Sequence, residues 1–328
     1  MIQQKKQYRK IEDFLNSSLQ SHTVLHIHLD ENQISDESVL GLGSALRKCT
    51  NLINLELYLS GNQISTIGLY GLGSGLGNCT NLSNFLILLN GNKIGDEEAI
   101  CFGLFLVNCT SLSSLTLEFM DNQISQKGVS GISSALGNII NLSNLKLEFS
   151  YNLIGTNGAS DLGFNLAKCT NLTNLTLNLC QNYIGDEGVL GLGSGLGKCA
   201  NLSNLILDIS TNQIGEIGAS GFGTALVNCT NISNMVLYIY SNNIGDVGVS
   251  GLGFGLGKCT NLSNLILNIS GNNISYKGAV DLSSALAKCT NLKNLEIDLY
   301  FNKISSFEKF KLKTKYLKPK RLVAYKHL

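Results

Sequence analysis

Apolar and polar positions recur along this chain with a period of thirty residues. Asn32, Asn62, Asn92, Asn122, Asn152, Asn182, Asn212, Asn242, Asn272 and Asn302 mark the register, and an isoleucine follows each by two residues, from Ile34 to Ile304. A fixed period in this range predicts a stacked solenoid, in which every unit buries its apolar face against its neighbours. In the unit spanning residues 191–220, Leu205, Leu207 and Ile209 alternate with outward positions, which predicts a strand with one buried face. Leu192 and Leu196 lie four apart, and Ala219 stands three residues before the next unit's equivalent of Leu192, the apolar stripe of a short helix. Asp36, Asp96, Asp186, Glu216 and Asp246 fall where those helices begin, with Ser35, Ser65, Ser125 and Ser275 placed to cap them.

This order of leucines, Asn-x-Ile, then a glycine six residues after the asparagine resembles the leucine-rich repeat. Within that superfamily it is similar to the ribonuclease-inhibitor-like class, and Asn212, Ile214, Gly218, Phe222 and Leu226 carry the spacing. The resemblance spans residues 11–304. One departure is the pair of residues added between Leu207 and Asn212; an even insertion preserves inside–outside parity and predicts a longer strand. Thirty-residue asparagine-rich units of this kind also resemble expanded repeat families of ciliated protozoa. The resemblance implies an α/β horseshoe of about ten repeats, with a concave parallel sheet, convex helices and an asparagine ladder bonding backbone between turns. Residues 11–40, where the pattern decays, read as an N-terminal capping repeat behind a basic lead at 1–10. Residues 305–328 read as a basic C-terminal cap or tail, and the alternation from Lys309 to Tyr316 suits a covering strand.

Composition fits a long single array: hydrophobic residues make up 44% and proline occurs once, so little interrupts stacking. The helical segments are rich in glycine, as in Gly71-Leu72-Gly73-Ser74-Gly75-Leu76-Gly77. Each should cost about 0.5–1 kcal/mol relative to alanine, so stacking must supply the helicity, and small side chains would let helices approach closely. A nucleotide-binding loop is excluded, because the glycine spacing is wrong and near-copies recur along the array. No apolar run reaches a membrane span, and no apolar segment follows the basic start MIQQKKQYRKIEDF, which predicts a cytoplasmic protein. The formal charge of +1 hides basic ends: residues 11–304 hold twelve bases against twenty-two acids. Such ends are solvated caps or dock on an acidic surface.

Candidate chemistry is sparse. Cys49, Cys79, Cys109, Cys169, Cys199, Cys229, Cys259 and Cys289 share one repeat position, and Ile139 takes that slot once, so the site is an apolar pocket with cysteine as a small hydrophobe. Only Cys101 and Cys180 lie outside this ladder, and no CxxC spacing suggests zinc. His26, His28 and Asp30 alternate on the first repeat strand and so share a face; a solvated polar edge explains them better than a metal. Asparagine sequons such as Asn78-Cys79-Thr80 follow from the repeat consensus. Apart from His327 the histidines cluster in the first unit, leaving no base for a nucleophile elsewhere. Neither an enzyme nor a cofactor or metal is expected.

Function is expected on the outward strand positions, where the repeats diverge. One column runs His26, Glu56, Leu86, Thr116, Lys146, Thr176, Ile206, Val236, Ile266, Glu296; the other runs His28, Tyr58, Leu88, Glu118, Glu148, Asn178, Asp208, Tyr238, Asn268, Asp298. Leu86 and Leu88 beside Tyr58 form one apolar anchor, and Ile206, Val236 and Ile266 with Tyr238 and Tyr240 form another. Glu118, Glu148 and Asp208, near Asp121, form an acidic middle. That pattern predicts a protein partner with a basic segment and argues against nucleic acid; neither a membrane nor a small-molecule substrate is expected as a partner. Leu104 and Phe105, where other helices carry small residues, suggest a convex contact. The leading expectation is a non-catalytic interaction scaffold, with a place in a cytoskeletal or ciliary assembly if the ciliate likeness holds. The alternative is a GTPase-activating protein, an activity that one branch of the repeat class resembles, with no residue here to carry it.

Overall fold

The computed structural model describes residues 5–308 and 311–312. The chain forms two compact units, Met1–Leu153 and Ile154–Leu328. The first carries parallel strands β1 (Lys5–Tyr8), β2 (Val24–His28), β3 (Asn54–Tyr58), β4 (Asn84–Leu88), β5 (Ser114–Glu118) and β6 (Asn144–Glu148), paired in chain order. Helices α1 (Ile11–Leu15), α2 (Asp36–Leu46), α3 (Thr66–Leu76), α4 (Asp96–Leu106) and α5 (Gln126–Leu136) alternate with them. The second carries β7 (Asn174–Asn178), β8 (Asn204–Asp208), β9 (Asn234–Tyr238), β10 (Asn264–Asn268) and β11 (Asn294–Asp298), alternating with α6 (Gly155–Leu166), α7 (Gly185–Leu196), α8 (Glu216–Leu226), α9 (Gly245–Leu256) and α10 (Tyr276–Leu286). Each unit is an α/β solenoid, with one strand and one helix per repeat.

Register follows the repeat. Leu55 sits opposite both Leu25 and Phe85, thirty residues to either side. Side chains alternate across a strand, so Leu205 and Leu207 are buried while Asn204, Ile206 and Asp208 face out. The two added residues keep the pattern: Ile209 is buried, and backbone bonds continue past the strand through Ile209 N to Tyr238 O (2.9 Å) and Thr211 N to Tyr240 O (3.0 Å).

The repeat asparagines form the expected ladder. Asn212 Nδ2 donates to Leu179 O (2.8 Å) and Ser210 O (2.9 Å), and its Oδ1 accepts from Asn182 N (2.8 Å) and Ile184 N (3.3 Å). Two further asparagine rows reinforce it. Asn51, Asn81, Asn261 and Asn291 donate Nδ2 to a backbone carbonyl of the preceding repeat, and on the outer sheet face Asn84 Nδ2 donates to Asn54 Oδ1 (2.6 Å). Both rows sit in the Asn-Leu-Ser-Asn consensus that also generates the sequons.

The acids at the helix starts act across repeats. Asp36 Oδ1 accepts from Ser65 N (2.9 Å), Asp96 Oδ1 from Ser125 N (2.8 Å) and Asp246 Oδ1 from Ser275 N (2.7 Å), so each caps the following helix. Those serines in turn cap their own helices, Ser65 Oγ accepting from Ile67 N at 3.2 Å.

Helices pack in alternate close pairs. A Cβ placed on Gly75 of α3 would overlap the Gly43 carbonyl of α2, and Gly195 against Gly163 and Gly255 against Gly223 repeat this in α7/α6 and α9/α8. Between α3 and α4 the nearest atom to such a Cβ, on Gly73, is Phe105 Cβ at 3.2 Å, so a side chain rather than backbone fills that gap. Glycine is required where backbone meets backbone.

Three expectations change. Residues 5–8 of the basic lead form a strand paired with β2. Phe105 is buried against Phe85 and Phe102, so of the two residues expected on the convex surface only Leu104 is exposed. Residues 306–308 and 311–312 are helical rather than extended, with Leu312 buried and Lys311 Nζ 4.5 Å from the Phe307 ring; the rest of the 305–328 cap or tail lies outside the described residues.

Candidate functional site

On the outer sheet face of each unit, neighbouring repeats carry different side chains in matching strand positions. In the first unit this divergence centres on β3 to β6. Tyr58 lies opposite Leu88, which lies opposite Glu118, which lies opposite Glu148; Leu86 lies between Glu56 and Thr116. All are half-buried, because a strand's outward side chains shelter one another at a spacing of about 4.8 Å.

Polar contacts set the character of this face. Glu118 Oε1 takes Lys146 Nζ at 2.6 Å and its Oε2 takes Asn90 Nδ2 at 3.1 Å, so that carboxylate is largely matched. Glu148 Oε1 accepts from Ser150 N (2.9 Å) and Ser150 Oγ (2.6 Å). Tyr58 is less apolar than its place in the greasy anchor implied: its hydroxyl donates to Glu56 Oε2 (2.8 Å) and its ring stacks on His28 with centroids 4.1 Å apart. Burial, then the bond to Glu56, pushes the Tyr58 phenol up to about 12. Burial, then Arg9, holds His28 below its ordinary value.

His26 is buried and its Nδ1 bonds the same Glu56 Oε2. The repeat pattern places Glu56 in the outward column but gives it no role. Its signal was present, since His26 and Glu56 are thirty apart and therefore adjacent in a parallel, in-register sheet. A cavity of about 300 Å³ opens here, lined by His26, Glu56, Asn84, Leu86, Ser114 and Thr116 among others.

The second unit carries the other expected anchor. Ile206, Val236 and Ile266 lie side by side across β8, β9 and β10, with Ile206 42% exposed. Asp208 lies opposite Tyr238, and its Oδ1 accepts from Ser210 N at 2.9 Å. Burial pushes the Asp208 carboxyl above its ordinary value, against the lowering effect of Ser210. Tyr240, just past β9, brings its hydroxyl to 3.8 Å from Cys180 Sγ, so Cys180 is buried beneath this edge. Glu118 and Glu148 thus sit together in one unit, while Asp208 keeps company with the tyrosines of the other.

The remaining candidates have structural explanations. Ladder cysteines are buried with Sγ near backbone carbonyls, as Cys79 Sγ is near Leu46 O at 3.4 Å, and burial pushes the Cys79, Cys109 and Cys229 thiols up to about 12. Such thiols are poor nucleophiles. Asp30 Oδ1 accepts from Ser60 N at 2.8 Å, and among the described residues no three His, Cys, Asp or Glu side chains group as a metal site would. His22 is buried between Ser17 Oγ (2.8 Å) and Tyr8.

A family-model comparison agrees with the repeat pattern. A family model described as "Leucine Rich repeat" matches residues 20–43, 168–193 and 261–283. None of the curated proteins matches. Among solved structures, a Bacteroides fragilis protein is similar at 17% identity and a TM-score of 0.45, covering 75% of this chain and 66% of that one, just under two thirds of its length. Among the described residues no helix is long and apolar enough to cross a membrane.

Proposed function

We propose that this chain, a leucine-rich repeat protein, is a non-catalytic scaffold that holds a protein partner carrying a basic segment on the outer face of its sheet. One observation carries the proposal: buried positions are nearly invariant along the array, whereas the outward columns change residue class at almost every step. Invariance at the core is what stacking demands, and divergence on a half-buried face is what selective recognition uses. The residues we assign to the contact are Tyr58, Leu86, Leu88, Glu118 and Glu148 in one unit, and Ile206, Asp208, Val236, Tyr238, Tyr240 and Ile266 in the other. Aliphatic and tyrosine side chains supply desolvated area, while the carboxylates favour a basic partner and its orientation. A fixed place in a cytoskeletal or ciliary assembly belongs to the same proposal, supported by the likeness to ciliate repeat families.

The test is capture of the partner from native cells by carboxylate-reactive crosslinking, using the wild-type chain and a Leu88→Asp, Tyr238→Asp double variant. A stoichiometric partner lost with the double variant supports the outer face. Equal capture by both chains moves function to the helices or the basic tail.

A further inference from the structure

Glu56 holds an unusual arrangement of donors. His26 Nδ1 and Tyr58 Oη both bond its Oε2, while Oε1 has no protein partner among the described residues. Two donors on one oxygen fix the rotamer and leave the other oxygen as a preset acceptor, on a side chain 35% exposed. The cavity of about 300 Å³ lies against this residue, at the small end of the roughly 300–1,000 Å³ typical of ligand pockets and so suited to a single side chain.

A second open acceptor lines the same cavity. The outer amide row runs from Asn84 Nδ2 to Asn54 Oδ1, and on the other side β5 carries Ser114 in place of asparagine. The row therefore stops, and Asn84 Oδ1 has no donor among the described residues. In the second unit the row continues, Asn204 to Asn174 and Asn234 to Asn204 each at 2.5 Å, so the break is particular to this place. Ser114 and Thr116 add hydroxyls, and Leu86 adds an apolar wall.

We infer that this cavity is a lysine pocket, which takes the primary ammonium of one side chain of the partner's basic segment. The inference rests on the proposed outer-face function and names its anchor. An ammonium has three donors and no acceptor, matching Glu56 Oε1, Asn84 Oδ1 and a hydroxyl placed separately around it. A guanidinium fork wants both oxygens of one carboxylate, and here His26 and Tyr58 already occupy Oε2. The alkyl stem lies along Leu86, since lysine covers apolar surface while its head stays polar.

The experiment uses the full chain and three fluorescent peptides of equal length: one with three lysines, one with three trimethyl-lysines and one with three arginines. Binding is read by anisotropy at low salt. The lysine peptide should bind tightest. Trimethylation, which keeps the charge and removes every donor, should weaken it roughly tenfold, about the value of one charge-assisted hydrogen bond. Glu56→Gln should do the same, and Asn84→Ser, which installs the residue that β5 already carries at this position, should weaken it about threefold. Glu97→Gln, at an exposed position of helix α4 and away from the sheet face, should leave this peptide's affinity within about twofold. Thermal melts of the variants check folding. Equal affinity for all three peptides, or no effect of Glu56→Gln and Asn84→Ser in folded protein, overturns the pocket. If binding then depends on Glu148 or Asp208, the pocket fails and the outer-face function stands; if no basic peptide binds that face, both fail.

Discussion

Gly75 lies so close to Gly43 that a Cβ on Gly75 would overlap the Gly43 carbonyl oxygen. Helices α2 and α3 thus meet backbone to backbone, and the helical penalty of glycine is offset by packing that no larger residue permits. Gly75→Ala should destabilise by about 1–3 kcal/mol, the usual range for overpacking. Gly77, two residues on, has helical φ and nothing nearer than 3.6 Å to its virtual Cβ, so Gly77→Ala should stabilise by about 0.5 kcal/mol through the unfolded chain. Urea denaturation of the two variants should give shifts of opposite sign.

Asn212 serves four backbone groups from inside the solenoid. Asn212→Ala removes all four bonds and leaves buried donors and acceptors bare. At about 1–3 kcal/mol for each stranded group, with partial relaxation, a loss of roughly 3 kcal/mol or more is expected. Hydrogen exchange should rise first at Ile184 and Asn182. Unchanged protection there would mean that the ladder is decorative.

The cysteine ladder predicts alkaline sensitivity. Burial raises Cys79, Cys109, Cys169, Cys229 and Cys259 to about 12 from an ordinary 9.0. A raised folded-state pKa stabilises fully below the unfolded value and is lost as pH rises through the folded one. Stability should therefore hold to about pH 8 and fall between pH 9 and 12. Cys109→Ile, using the residue natural at Ile139, should flatten that fall. Thiol reagents at neutral pH should label half-exposed Cys101 and spare the ladder until it unfolds.

Asp208 should trade stability for binding. Its carboxyl is pushed up by burial, so its contribution to stability is present at low pH and is lost as pH rises through the carboxylate range. Asp208→Asn keeps an acceptor for Ser210 N and removes the charge. Its melting temperature should exceed wild type at pH 7 and match it near pH 3, while partner capture weakens. A lower melting temperature at pH 7 would count against a desolvated carboxylate.

Much of this molecule was legible as sequence because its contacts are translational. A parallel register of thirty residues makes Ile206, Val236 and Ile266 neighbours by arithmetic, and strand parity decides that Leu207 points in and Asp208 out. The same regularity placed the helix caps and the cysteine pocket, while the asparagine ladder came from the resemblance to the leucine-rich repeat. What the pattern left open depends on competition among side chains, which no period encodes. Lys146 chooses Glu118 across a 28-residue diagonal, His26 and Tyr58 converge on one oxygen of Glu56, and Phe105 turns inward because Gly73 leaves it room. The repeat therefore fixes which surface is available. Only the three-dimensional arrangement decides which acceptors on that surface are already satisfied and which stay open, because hydrogen bonds depend on distance and direction in space rather than on position in the chain.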